Sequence, residues 1–224
     1  MPWPLIRLKQ VDSTQDFLLR HPELGFCGVL AEAQTQGRGQ RGNRWESEPG
    51  AGLWLSACIP TPELPSGQVL QRAMAAVAEV LEPCGIALGL KWPNDLVARD
   101  AGRLVKLGGI IGQTKGERLI LGVGVNLLRA PALPGRAIAP ACVEALRQGP
   151  LPDATTLALG ILEAWSDLTI QREPAFRWPA PGEDLRWETG SGRCEAWLED
   201  GRLAIHTPTG LQTLTAGDLN SLGS

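Results

Sequence analysis

The chain has 224 residues, 43% hydrophobic and 20% charged, which suits a globular protein with a sizeable core and argues against disorder or a fibrous repeat. Its 21 Lys and Arg against 24 Asp and Glu leave a formal net charge of −3, so nothing draws the whole molecule to nucleic acid or an anionic membrane, and any basic site must be local. The 5 cysteines are widely scattered, form no C-x-x-C pair and accompany only 2 histidines, which speaks against structural zinc and a disulfide framework and for reduced thiols in a cytoplasmic protein.

In chain order, Asp12-Ser13-Thr14-Gln15-Asp16 places a hydroxyl cap before Phe17-Leu18-Leu19, a short helix that Pro22 closes. Residues 28–33 read as a buried strand and residues 53–59 as another, with Leu53, Leu55, Ala57 and Ile59 on one side and a long polar loop between the two. From 66 to 84, Val69, Leu70, Ala73, Val77, Val80 and Leu81 recur at helical spacing and predict a helix covering one face of a sheet. Strands at 88–92, 96–98, 104–111 and 118–125 follow as a meander with turn residues between them. Pro131, Pro134 and Pro140 interrupt the next stretch, after which Asp153 or Thr155 caps a helix running to about Gln171. Pro174, Pro179 and Pro181 then mark a connection, beyond which only short strand-like runs remain around Leu185, Ala196, Leu203 and Leu211. This makes a small all-β module of about 45 residues, near the lower limit for independent stability and so expected to pack on the first domain. No run approaches the ~18 apolar residues of a membrane span, and the first residues lack a leader pattern.

Four stretches could carry chemistry. Gly37-Arg38-Gly39-Gln40-Arg41-Gly42-Asn43-Arg44-Trp45 follows Gln34 at the end of a strand and combines backbone that can approach phosphate oxygens with permanently charged guanidinium groups. Its alternative is a solvated Arg-Gly loop; as a site, its glycines and mutually repelling arginines predict a segment that orders around an anion. Lys91-Trp92-Pro93-Asn94-Asp95 is good turn chemistry by itself. In Lys106-Leu107-Gly108-Gly109-Ile110-Ile111 a lysine and two glycines interrupt an apolar strand, which suits either a clamp between a carboxylate and a phosphate or a lysine snorkelling from a sheet edge. Gly122-Val123-Gly124-Val125-Asn126 ends the next strand, and Asn126 offers both a donor and an acceptor to a base edge. Ser13, Ser47 and Ser56 have no G-x-S-x-G setting, and neither a P-loop nor a dinucleotide-binding G-x-G-x-x-G is present.

In this order and at these separations, the Ser13-Thr14 block, Gln34 with the Gly37 to Trp45 loop, Lys91 to Asp95 with Lys106 to Ile111, and Gly122 to Asn126 strongly resemble the biotin protein ligase family, the biotin–[acetyl-CoA-carboxylase] ligases. The resemblance is good over about residues 8–128, loose to about 172, and rests on position and β character alone in the C-terminal module. It implies an α/β (α+β) mixed-sheet catalytic domain over 1–178 and an SH3-like β-barrel over 179–224. It also implies two half-reactions: biotin and MgATP give biotinyl-5′-AMP and pyrophosphate, and a lysine of a biotin carboxyl carrier domain then takes the biotin and releases AMP. ATP with Mg²⁺ and biotin are substrates, and no tightly bound prosthetic group is implied.

Carried over by that resemblance, Ser13, Thr14 and Gln34 would bind the ureido end of biotin, with Gly108 and Gly109 against its rings. Gly37, Arg38, Gly39, Gln40, Arg41, Gly42 and Trp45 would close over the adenylate. Lys106 would bridge the biotin carboxylate and the α-phosphate, Asn94 and Asp95 would line the reaction centre, and Asn126 would meet adenine. Gln15 stands where the family commonly has asparagine, and Gln40 where well-known members have arginine, which should loosen retention of the adenylate. The Ser13-Thr14 block starts almost at once, where repressor relatives carry a winged-helix domain, so the resemblance is to a ligase without DNA binding, monomeric or homodimeric. Glu183, Asp184, Glu188, Glu195, Glu199, Asp200 and Asp218 likewise make the C-terminal module a poor nucleic-acid surface. The competing readings are a lipoate ligase or octanoyltransferase of the same fold and a biotin-binding protein without catalysis.

Overall fold

A computed structural model describes residues 3–217 and 219–221; Asp218, counted above among the acidic residues, lies outside them. The first part of the chain forms β1 (Leu5–Val11), α1 (Thr14–Arg20), β2 (Cys27–Gln34), β3 (Gly52–Pro60), α2 (Ser66–Val80), β4 (Gly89–Lys91), β5 (Asp95–Asp100), β6 (Arg103–Lys115) and β7 (Arg118–Asn126). It continues with β8 (Ala139–Pro140), α3 (Val143–Leu146), α4 (Ala154–Trp165) and β9 (Phe176–Trp178). The sheet order is β1-β2-β3-β7-β6-β5-β4-β9, with β8 alongside β6. Three pairings, β1 with β2, β4 with β9 and β6 with β8, are parallel and the rest antiparallel, so the sheet is mixed.

Alternation along the central strands gives the sheet two different faces. Leu53, Leu55, Ala57 and Ile59 of β3 and Leu119, Leu121, Val123 and Val125 of β7 join the main core with the apolar sides of α2 and α4. Trp54, Ser56, Ile120, Gly122, Gly124 and Asn126 occupy the intervening positions and face the other way, where α1 packs through Leu18 against Cys27, Val29, Cys58 and Ile120. The expected cap is present on α1: Ser13 Oγ accepts the Asp16 N–H at 3.3 Å. Asp12 receives a two-pronged bond from Arg20 at 2.7 and 2.8 Å, and that guanidinium holds its carboxyl below the usual carboxylate range.

The helix expected over 66–84 stops at Val80, and the remaining residues tighten into a 3-10 turn at Glu82–Cys84 because Pro83 cannot continue the hydrogen-bond ladder. Asp153, rather than Thr155, caps α4, its carboxylate accepting the N–H groups of Thr155 at 2.8 Å and Thr156 at 3.1 Å, and the helix ends at Trp165, short of Gln171. The strand β1 is an addition to the sequence reading: it is an edge strand exposing Arg7, Lys9 and Gln10, so it lacks the apolar run of a buried strand. Cys27, Cys58, Cys84 and Cys194 are buried and all five thiols are free. Burial pushes the Cys27 and Cys84 thiols up and that of Cys194 to about 11, so these three are protonated and unreactive at neutral pH.

The C-terminal part forms a separate antiparallel sheet of β10 (Asp184–Trp187), β11 (Gly190–Trp197), β12 (Leu203–Thr207), β13 (Gly210–Leu214) and β14 (Asn220–Ser221), in the order β13-β12-β11-β10-β14. It packs on the first unit, as its size required: Gln71 of α2 donates to the Gly201 carbonyl at 3.1 Å. The stretch read as a connection is partly structural, since residues 176–178 add β9 to the large sheet. Among the described residues no helix is long and apolar enough to cross a membrane.

Candidate active site

On the α1 side of the large sheet lies a cavity of about 280 Å³. One end is neutral and polar. Gln34, at the end of β2, accepts through Oε1 from the Thr14 N–H at 2.8 Å and the Thr14 hydroxyl at 3.1 Å, while its Nε2 donates to Ser47 Oγ at 2.9 Å. The hydroxyls of Thr14 and Ser56 lie 2.7 Å apart, and Gln15 links the chain to β7 by donating to the Ile120 carbonyl at 3.0 Å. Ser13, Thr14, Gln15 and Ser56 are all buried, so this end is an organised set of donors and acceptors with no formal charge. The sequence reading placed Ser13, Thr14 and Gln34 here but passed over Ser56 as anything but a failed nucleophile. Its signal was a hydroxyl in the middle of a strand that is otherwise apolar and buried.

The other end carries charge, and a β-bulge sets it. Val97 pairs with Lys106 but Leu96 with Gly108, so the register shifts and Leu107 and Gly108 both turn toward the main core. Lys106 and Gly109, three residues apart, therefore both line the cavity. Lys106 Nζ stands 2.6 Å from Asp95 Oδ1, and Asp95 is the cross-strand partner of Gly109. Asn94 ties its turn to β6 by donating through Nδ2 to the Ile110 carbonyl at 2.7 Å and accepting the Ile110 N–H at 3.0 Å. Gly109 lines the cavity and Gly108 does not: a Cβ at Gly108 would face the core side, 2.6 Å from the Gly124 carbonyl oxygen and 3.5 Å from Leu96 Cβ.

Residues 37–45 close over this end as a turn, with Arg38 bridged to Arg44, the Gly39 N–H on the Asn43 carbonyl at 2.7 Å and the Trp45 N–H on the Gly37 carbonyl at 2.8 Å. The expected crowding of arginines is relieved by partners: Arg38 meets Asp16 at 2.6 Å, and Arg44 meets Glu46 at 3.6 Å and the Thr35 carbonyl at 3.2 Å. Arg38, Gly39, Gln40, Arg41 and Trp45 line the cavity; Gly37 and Gly42 do not, the first packing on the Trp45 backbone and the second supplying a turn at φ +78°. The Trp45 indole lies over Gly109 of β6 and Gly124 of β7, edge-on to Trp54 at 6.4 Å and with its ring centroid 5.5 Å from Lys106 Nζ. A Cβ at Gly124 would come within 2.5 Å of that indole, so Gly124→Ala should displace Trp45 and raise hydrogen exchange over residues 37–45. Unchanged exchange in a folded variant would show that the glycine does not seat the loop.

Asn126 is buried and donates through Nδ2 to the Ala141 carbonyl at 3.1 Å, leaving Oδ1 without a partner among the described residues. The proline-interrupted stretch contributes Pro131, Leu133, Arg136, Ile138 and Pro140 as a wall the sequence reading missed. Prolines break periodicity, and their placement comes from β8, where the Ala141 N–H donates to the Lys106 carbonyl at 2.8 Å. Gly217 and Asn220 reach the cavity from the C-terminal sheet. Among the described residues no group of three or more His, Cys, Asp or Glu gathers in a way that could hold a metal ion.

Similarity to known proteins follows these features. A model of the biotin/lipoate A/B protein ligase family matches residues 8–127. The chain is 38% identical over 128 residues to the bifunctional ligase/repressor BirA of Escherichia coli, a match covering 54% of this chain and 39% of that protein. It is 36% identical over 111 residues to the biotin–[acetyl-CoA-carboxylase] ligase of Mycobacterium tuberculosis, covering 46% of this chain and 40% of that protein. The matched stretches thus span about two fifths of these relatives. In fold, the chain is similar to the biotin protein ligase of Aquifex aeolicus in complex with biotin and ATP, with a TM-score of 0.76 at 24% identity, over 97% of both chains. Because the family model covers more than half of the sequence and includes every element of the cavity described up to Asn126, the chain belongs to the biotin/lipoate A/B protein ligase family.

Proposed function

We propose that the protein is an ATP-dependent biotin protein ligase that forms biotinyl-5′-AMP with release of pyrophosphate and passes the biotin to a lysine of a biotin carboxyl carrier domain. One observation carries the reading: a single cavity joins a neutral hydrogen-bonding end, Thr14, Gln34 and Ser56, to a cationic end, Lys106, Arg38 and Arg41. A molecule with an uncharged ureido head and a carboxylate tail meets both, and the tail is then placed where a nucleotide phosphate would lie. Two anions must approach for carboxylate to attack phosphorus, and the Lys106 ammonium between them lowers their repulsion. Asp95 holds that ammonium in place, Arg38 and Arg41 face the phosphates, and the free Asn126 Oδ1 suits the exocyclic amine of adenine. ATP enters as its Mg²⁺ complex. A mixed anhydride hydrolyses readily, and the 37–45 turn with Trp45 excludes water until an amine arrives.

The family has lipoate-handling members too, and the density of donors and acceptors at the neutral end favours a ureido head over a dithiolane or an alkyl chain. On this reading the catalytic domain is 1–178 and the 179–224 sheet an SH3-like barrel, a division supported by the end of β9 at Trp178. The free thiols fit a reducing cytoplasm. Mass spectrometry of a carrier domain incubated with the protein, ATP, Mg²⁺ and biotin should show one added biotinyl group. Modification with lipoate or octanoate instead would replace this assignment.

Gln40 offers the phosphates a neutral amide where an arginine would offer a charge. Gln40→Arg should therefore slow dissociation of biotinyl-AMP by about tenfold, the equivalent of adding one charge-assisted hydrogen bond. The measurement is release of preformed adenylate into excess unlabelled biotin. An equal rate in both proteins would mean that position 40 does not govern retention.

A further inference from the structure

Trp92 sits in the Lys91–Asp95 turn, yet its side chain does not line the cavity. It is fully buried in the apolar core of the C-terminal sheet, with Trp178, Leu185, Cys194, Leu203 and Ile205. Its indole N–H donates to the Gly201 carbonyl at 3.0 Å, the same oxygen that receives Gln71 of α2 at 3.1 Å. Gly201 has φ +87°, and a Cβ there would collide with the Gly67 backbone, so the turn at 199–202 is pressed against α2 while it holds Trp92. The Trp92 N–H donates to the Trp178 carbonyl at 2.8 Å. Two and three residues further on, Asn94 is bound to Ile110 and Asp95 to Lys106. The turn is thus pinned at one end by the C-terminal module and at the other by the cavity strand β6.

We infer that Trp92 is a positioning residue through which the C-terminal module sets the Asp95–Lys106 pair, so that the module is part of the active-site framework. A short turn held at both ends has little freedom, and a shift of the indole is passed through Pro93 to Asn94 and Asp95. The module also supplies wall, since Gly217 lies against Trp92, 3.4 Å from Cζ3 by its would-be Cβ, and lines the cavity. The consequence for adenylate formation rests on the ligase reading above; the consequence for Lys106 itself does not.

The test uses the full chain and two variants, Trp92→Phe, which keeps a ring but loses the donor, and Gly201→Ala, which moves the acceptor from the module side. The chain has only 4 lysines, so competitive acetylation read by mass spectrometry reports Lys106 against the exposed Lys9 and Lys115. In both variants Lys106 labelling should rise about threefold relative to those two as its ion pair loosens. Pyrophosphate release should lose about tenfold in kcat with KM for biotin within about twofold, the pattern of misplaced chemistry rather than lost binding. Unchanged Lys106 labelling in variants that melt cooperatively would overturn the inference, as would an equal rise at all the lysines, which signals general loosening. A wild-type protein that makes no adenylate would overturn the ligase reading while leaving the labelling result to decide this one.

Discussion

Lys106→Ala should lower the rate of pyrophosphate release by about 10²- to 10³-fold at saturating biotin and ATP, the usual cost of removing one preorganised electrostatic group from a transition state. Biotin affinity should change by no more than about threefold, because in the proposed function Lys106 acts where charge concentrates and the head of the ligand is held at the Thr14 end. The structure adds a second expectation. The Asp95 side chain is only 15% exposed and lies 2.6 Å from the ammonium, so the alanine variant leaves a carboxylate unpaired where the proposed reaction brings phosphates. Part of the loss is then repulsion by Asp95, and Lys106→Ala with Asp95→Asn should be less impaired than the single lysine variant, a non-additivity expected of groups in contact. Rapid-quench measurement of adenylate formation decides both points. A lysine variant that keeps most of its rate would remove Lys106 from the mechanism, and a double variant with multiplied losses would show that Asp95 does more than hold the lysine.

Thr14→Val should act on the opposite end and on the opposite parameter. The substitution keeps shape but takes the hydroxyl from a buried chain in which Gln34 Oε1 and Ser56 Oγ stand 3.1 and 2.7 Å away. Buried Ser56 loses a partner, at about 1–3 kcal/mol, while half-buried Gln34 keeps its other one, so KM for biotin should rise by about 10- to 100-fold. The Thr14 N–H still holds Gln34, and Lys106 is undisturbed, so kcat should stay within about threefold and KM for ATP unchanged. Isotopic pyrophosphate exchange at varied biotin separates these quantities. A fall in kcat with unchanged KM would mean that the ligand head lies elsewhere. Restoration by Thr14→Ser would show that the hydroxyl, and not the methyl, is what matters.

Much of this arrangement is written locally. The Ser13 cap, the helical spacing of Val69 to Val77 and the alternation in residues 53–59 each follow from contacts within a few residues, where periodicity and capping chemistry act directly. Gln34, Lys106, Asp95 and Asn126 were legible because polar residues at the ends or within apolar strands need a reason, and all four meet in one cavity. Other features depend on partners far away in sequence. Ser56 became a site residue only when β3 was laid beside Gln15 and Thr14, and β1 became a strand only because β2 offers it an edge. Gly108 faces the core because a bulge, a property of the β5–β6 pair and not of either strand, turns two successive residues the same way. The arginines of the 37–45 loop find Asp16 and Glu46, which net charge alone does not foretell. Trp92 belongs to a motif of the first domain but to the core of the second, since a large indole is placed by whichever apolar surface surrounds it, and only the packed chain says which that is.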